Sequence, residues 1–214
     1  MSLDVQSLTV GPVAENCFLV RREGADRALV VDPGEEPERI LAALEEMGVE
    51  VEAILITHCH FDHIGAVTPV ARATGAPVYC PEIEVGVLAD IMAYVPYEGF
   101  GPFESYEADH TVAGGETLEL AGLELDVVFT PGHSPGHVTY AVRGEEALFS
   151  GDVLFQGSVG RVDLPGGDGQ TLLASIGSLL ETFPDQTVVH PGHMGQTTLG
   201  AERATNPFLT SLTR

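Results

Sequence analysis

The stretch Thr57-His58-Cys59-His60-Phe61-Asp62-His63-Ile64-Gly65 follows directly on the apolar run Val51 to Ile56, and the reading of this chain turns on it. Three histidines and an aspartate fall within six positions, a spacing that suits metal ligation better than packing. A buried strand that opens into a ligand-dense loop holds several donors at one point, because the loop need not fold back to gather them. The spacing predicts a metal centre at a strand end.

On the N-terminal side, Val5 to Val10, Asn16 to Arg21 and Arg27 to Asp32 read as strands bounded by turn residues, an all-antiparallel start. The third ends at Asp32-Pro33-Gly34, which places a carboxylate at the end of a buried strand. Ile40, Leu41, Leu44 and Met47 predict a helix over Glu38 to Met47, stopped by Gly48. On the C-terminal side a helix is expected over Ala66 to Thr74, a strand over Pro77 to Cys80 and a helix over Glu82 to Met92. Strands resume at Thr117 to Leu120, Leu123 to Thr130, Val138 to Arg143 and Ala147 to Ser150, followed by a helix over Thr171 to Phe183 and a strand over Thr187 to Val189. The whole chain, 1–214, reads as one α/β domain with two similar halves.

Three further donors follow apolar strands in the same way: His133, Asp152 and His193. Strand ends on one edge of a sheet converge, so these and Asp32 are expected in one cleft with the opening motif. His58, His60 and His133 make a three-nitrogen set, Asp62, His63 and His193 a second, and Asp152 has an oxygen for each. Imidazole and carboxylate without thiolate suit two divalent ions, zinc first and iron or manganese as alternatives. Three protein ligands and a shared carboxylate leave an open position on each ion, the mark of a catalytic site.

Composition excludes other classes. A net charge of −23, with 32 acidic residues against nine basic ones, all arginines, denies a nucleic-acid partner its cationic footprint. No run approaches membrane-spanning length, and three unframed cysteines fit a reducing compartment, so a cytoplasmic protein is expected. Cys17, Cys59 and Cys80 read as buried thiols, and His110 as structural. His137 and His190 lie near proposed ligands and read as supporting or packing residues. Tyr94, Tyr97, Phe100, Phe103 and Tyr106, interrupted by Pro96, Gly99, Gly101 and Pro102, form either a substrate-pocket wall or an aromatic anchor for a loop. Arg161, in a Gly-rich segment, is either a contact for a substrate anion or the partner of one of the many acids.

The string THCHFDHIG with His133, Asp152 and His193 resembles the metallo-β-lactamase fold superfamily, in order and spacing across essentially the whole chain. Gly151-Asp152-Val153-Leu154-Phe155, Gly157-Ser158-Val159-Gly160-Arg161, Thr197-Thr198-Leu199-Gly200-Ala201-Glu202-Arg203 and Asn206-Pro207-Phe208-Leu209 are similar to the compact glyoxalase II-like hydrolases. The resemblance implies an α/β fold, an αββα four-layer sandwich with the metal site at one edge of the two sheets. It implies that His58, His60 and His133 hold one metal, Asp62, His63 and His193 the other, that Asp152 bridges, and that Asp32 orients ligands from behind. Asp62 and Asp152 are then the carboxylates at the reaction centre.

The activity implied is hydrolysis of a thioester, such as a hydroxyacyl-glutathione, by a metal-bridging hydroxide; the partner is a small acyl-thiol, and homo-oligomerisation is left open. Two alternatives share the fold: a mononuclear-iron persulfide dioxygenase and a lactone or ester hydrolase. Flavodiiron-type proteins place Glu where His60 stands, and RNA-processing members need a basic surface.

Overall fold

The computed structural model describes residues 2–210. Its first sheet has six strands in sequence order: β1 (Leu3–Val10), β2 (Glu15–Arg22), β3 (Arg27–Val31), β4 (Glu50–Leu55), β5 (Val78–Pro81) and β6 (His110–Val112). The antiparallel start expected from the sequence ends at β3, and β3 through β6 run parallel. The reason is the connections. Helix α1 (Pro37–Met47) carries the chain back between β3 and β4, and α2 (Phe61–Ile64) and α3 (Val67–Thr74) carry it between β4 and β5.

The second sheet contains β7 (Thr117–Leu120), β8 (Leu123–Phe129), β9 (Val138–Val142) and β10 (Ala147–Gly151) as an antiparallel run. The hairpin β11 (Leu154–Phe155) and β12 (Ser158–Val159) leaves it, and β13 (Val188–Pro191) and β14 (Thr197–Thr198) complete its edge. Strand β13 pairs with β10 in parallel, so β8, β10 and β13 all point the same way.

Alternation along the strands builds the layers. In β2, Cys17 and Leu19 face the helices of the first sheet, while Phe18 and Val20 face the second sheet. In β10, Phe149 faces the first sheet and Leu148 faces α6 (Gly169–Thr182). Three buried apolar layers result, and the architecture is helices, sheet, sheet, helices, with α7 (Leu199–Thr205) packed on the outer face of the second sheet. Among the described residues no helix is long and apolar enough to cross a membrane.

The helix expected over Glu82 to Met92 is broken into a 3-10 turn at Glu82–Glu84, α4 (Val85–Leu88) and α5 (Ile91–Tyr94). Glu84, at the junction of the 3-10 turn and α4, turns inward, is 4% exposed and is held by three hydrogen bonds from elsewhere in the chain, and Asp90, with φ −148° and ψ 61°, interrupts the helical backbone between α4 and α5.

Candidate metal centre

Asp32 follows β3, His58 to His63 follow β4, His133 follows β8, Asp152 follows β10 and His193 follows β13, each at the C-terminal end of its strand. All five segments meet at one end of the sandwich. Asp32 has left-handed backbone (φ 49°), tolerable for a short carboxylate that bonds locally, and its side chain locks the motif in place. Oδ1 accepts from the Thr57 amide at 2.7 Å, and Oδ2 accepts from Thr57 Oγ1 at 2.6 Å and from His63 Nδ1 at 3.0 Å. Through these bonds Asp32 orients Thr57 and His63 from behind the cluster, and one of its oxygens also lies within 4.8 Å of ring nitrogens of His58 and His63.

Three imidazole nitrogens meet at a point. His58 Nε2 stands 3.1 Å from His60 Nδ1 and 3.2 Å from His133 Nε2, and His60 Nδ1 is 2.8 Å from His133 Nε2. Three nitrogens on one tetrahedral ion, each about 2.0–2.1 Å away, would stand about 3.3 Å apart. The far sides of the rings decide the tautomers. His133 Nδ1–H donates to the Arg161 carbonyl at 2.8 Å, and His58 Nδ1–H donates to Thr57 Oγ1 at 3.1 Å, so their Nε2 lone pairs face the common point.

The second set lies beside it. His193 Nε2 is 3.2 Å from Asp62 Oδ2, and His63 Nε2 is 3.8 Å from the same oxygen. Each ring again points its Nδ1–H at an acceptor: His63 at Asp32, and His193 at the Ala14 carbonyl, 3.2 Å away. Asp152 reaches both sets, Oδ1 lying 3.4 Å from His63 Nε2 and Oδ2 lying 3.4 Å from His133 Nε2 and 3.6 Å from His193 Nε2. Its backbone amide donates to His137 Nε2 at 3.1 Å, so His137 steadies Asp152 from outside the cluster. A β-carbon at Gly192 would sit 2.3 Å from Asp152 Oδ1, which explains glycine at that position.

These residues fit cations. His63 Nε2 and Asp152 Oδ1 are fully buried, 3.4 Å apart, and neither has a well-formed hydrogen bond among the described residues. Three imidazole nitrogens crowd within 3.2 Å of one another, close to the spacing of ligands on one ion. The carboxylates call for positive charge. Burial works to raise Asp152, but the charge of His63, with His133 and His193, holds it well below the usual carboxylate range. Burial pulls His63 down, yet Asp152 and Asp62 outweigh it and hold the ring well above its ordinary value, so a cation bound at Nε2 would take the place of a proton there.

Three supporting residues escaped the sequence reading. Glu84 accepts from the Cys59 amide at 2.5 Å, from the Gly136 amide at 2.8 Å and from Ser134 Oγ, tying the loop of His58 and His60 to the loop of His133. Asn16 Nδ2 donates to the carbonyls of Pro191 at 3.0 Å and Met194 at 2.9 Å, so the first hairpin clamps the loop that carries His193. Glu15 is fully buried with neither oxygen hydrogen-bonded, 3.7 Å from His63 Nδ1, and burial together with Asp32, Asp62 and Asp152 pushes its carboxyl well above the usual range despite His63. For Glu15 and Asn16 the available signal was a polar residue beside apolar strand positions; for Glu84, within an expected helix, there was none.

His190 lies away from the cluster, stacked on Phe149 with ring centroids 4.8 Å apart and edge-on to Phe18. Burial lowers its pKa from 6.5 to about 4. The folded state therefore binds this proton more weakly than the unfolded chain. Its contribution to stability is complete above pH 6.5 and is lost as pH falls towards 4, about 3 kcal/mol in all. His190→Phe is expected to flatten that part of the stability profile, read as the difference from wild type in urea midpoints between pH 4 and 7.

A cavity of about 710 Å³ opens above the donors, with His60, Asp62, His133, Asp152 and His193 on its floor and Tyr94 and Tyr97 on its wall. Phe100 is not on that wall: it packs against Phe61, centroids 4.8 Å apart, at the edge of the core under the first sheet's helices. The aromatic stretch therefore divides, Tyr94 and Tyr97 to the cavity and Phe100, Phe103 and Tyr106 to anchoring. Arg161 borders the cavity, but its guanidinium makes two hydrogen bonds to Asp163, at 2.7 and 2.8 Å. The acid partner is thus one contact it makes, while its place on the cavity border keeps it within reach of a bound anion.

Similar proteins share this arrangement's chain length. A Bacillus subtilis protein named a probable metallo-hydrolase, YqgX, is 41% identical over 94% of this chain and 95% of its own. The Haemophilus influenzae hydroxyacylglutathione hydrolase GloC is 32% identical over 98% of this chain and 99% of its own. Among solved structures, the BLEG-1 B3 metallo-beta-lactamase superposes with a TM-score of 0.91 at 39% identity, covering 97% of this chain and all of the other. TTHA1623, in a di-iron-bound form, superposes with a TM-score of 0.85 at 42% identity, covering 96% and all of the other. The metallo-beta-lactamase superfamily model matches residues 10–193, from the end of β1 to the last histidine of the donor corner, and the chain belongs to that superfamily of metallo-hydrolases.

Proposed function

We propose that this metallo-hydrolase cleaves acyl thioesters, with His58, His60 and His133 as ligands of one divalent ion, Asp62, His63 and His193 as ligands of a second, and Asp152 between them. The observation that carries this reading is the position of Asp152, whose two oxygens reach both donor sets. Bound there, the ions supply a hydroxide at neutral pH and a Lewis acid for the developing oxyanion. Zinc suits the imidazole and carboxylate donors, and iron suits them as well; the di-iron form of TTHA1623 makes iron the competitor to test.

The chain's own groups fill the remaining roles. Asp32, Thr57, Ala14 and the Arg161 carbonyl hold ring protons on the outer nitrogens, which keeps the inner lone pairs directed at the ions. The nucleophile is not a side chain: Cys59 is buried beside Cys80, and burial pushes its thiol well up, while Ser134 Oγ donates to Glu84. A thioester suits such a site because the leaving thiolate is a modest base and needs no strong general acid. The likeness to GloC supports the thioester class. The likeness to BLEG-1 supports a second reading, β-lactam hydrolysis, in which an amide nitrogen must be protonated as it leaves.

Elemental analysis of the purified protein, followed by assays on thioesters, a chromogenic β-lactam and oxygen uptake with glutathione persulfide, decides among them. Two ions per chain, thioester turnover that vanishes on chelation and returns with added zinc or iron, and slower β-lactam turnover are expected. One iron with oxygen uptake, or a β-lactam preferred over every thioester, would overturn the reading.

A further inference from the structure

We infer that the cavity selects thioesters whose acyl group is an apolar chain of medium length, an inference that rests on the thioester reading above. The starting observation is where the surface breaks its own rule. On a chain with 32 acidic residues, nine large apolar side chains are exposed among the described residues, and five of them border this one cavity: Val13, Ile83, Tyr94, Tyr97 and Met194. Ile83, Tyr94 and Met194 are 62%, 58% and 58% exposed. They come from the first hairpin turn, the 3-10 turn, α5, the loop after α5 and the loop after β13, so no single element's amphipathic pattern accounts for their meeting.

An exposed apolar patch of this kind marks a binding surface. Its concavity and its floor decide the occupant. The volume of about 710 Å³ is that of a small-molecule site, and Phe61 and Phe155 extend the apolar wall down to His60, Asp62 and Asp152. Ile83 and Tyr94 line the same cavity as the donors, so an apolar chain held against them keeps its carbonyl within that cavity. An anionic headgroup finds less: Arg161 is the one arginine of the lining among the described residues, and Asp163 holds its guanidinium in two hydrogen bonds.

Burying one methylene fully is worth about a fourfold gain in affinity, and half-burying it about twofold. With the metal-loaded protein and N-acetylcysteamine thioesters from acetyl to octanoyl, kcat/KM is expected to rise about two- to fourfold per methylene, on the order of a hundredfold or more across the series. Octanoyl-N-acetylcysteamine is expected to exceed lactoyl-glutathione. Ile83→Ser and Met194→Ser, both at exposed positions, are expected to lower the slope with metal content unchanged.

The matching thioethers, which cannot be hydrolysed, read binding separately from turnover. Affinity that rises with chain length while no thioester is cleaved would support the apolar selection and overturn only the thioester reading. Thioesters cleaved at rates flat in chain length, or lactoyl-glutathione preferred, would overturn the inference and leave the thioester reading standing. A dimer in light scattering that Ile83→Glu dissociates would assign the patch to a second copy of the chain and also overturn it.

Discussion

Asp152→Asn is expected to lower kcat by about a thousandfold or more, equivalent to about 4 kcal/mol of transition-state stabilisation, and to cut bound metal below two per chain. The side chain lies within 3.6 Å of His63, His133 and His193, histidines drawn from both donor sets. Asparagine keeps the shape but removes the charge that draws the two ions together. The fold should survive, because Asp152 is anchored through its backbone amide to His137, a contact the substitution leaves alone. Elemental analysis and steady-state kinetics check both halves. Two ions retained with kcat within tenfold of wild type would remove Asp152 from between the sets.

Glu84→Ala is expected to produce the largest stability loss of any single change considered, roughly 3–5 kcal/mol. Three donors lose a carboxylate acceptor at once in a site that is 4% exposed. For a chain of this length that corresponds to about 10 °C in the melting midpoint. The loops of His58 and of His133 would no longer be tied together, so metal affinity should fall alongside stability. Glu84→Gln separates the effects. Its oxygen can serve Ser134 and Gly136, but its amide faces the Cys59 N–H, and a loss about half as large is expected. Thermal unfolding of the three proteins, with metal bound and chelated, checks this; a metal affinity unchanged in Glu84→Ala would show that the loops hold their geometry unaided.

The route from sequence to site was short for the ligands and long for everything that steadies them. His58, His60, Asp62 and His63 could be read because metal chemistry admits few residue types and the motif is local. His133, Asp152 and His193 could be read because each follows an apolar strand, and parallel strands bring their C-terminal ends to one edge. Glu84 could not. Its partners lie 25, 50 and 52 residues away, and a glutamate in a helical pattern reads as a solvated surface group until the packing turns it inward. Asn16 reaches 175 residues to the Pro191 carbonyl, across two sheets whose relative placement no local pattern encodes. The break between α4 and α5 falls at Asp90, whose backbone leaves the helical region where the periodicity shows only a continuous apolar face.

By itself, then, the sequence determined the candidate donors, their grouping at strand ends and a mixed α/β chain, because ligand chemistry and apolar alternation are written residue by residue; the four-layer sandwich was implied by the family resemblance. The tertiary structure alone decided which side chains face the cavity and which neutralise one another. It sent Tyr94 and Tyr97 to the wall and Phe100 to the core, gave the Arg161 guanidinium to Asp163 and its carbonyl to His133, and left Glu15 buried without a hydrogen bond. The physical reason is that side-chain partnership depends on distances of a few ångströms between segments far apart in the chain, and those distances exist only once both sheets are packed.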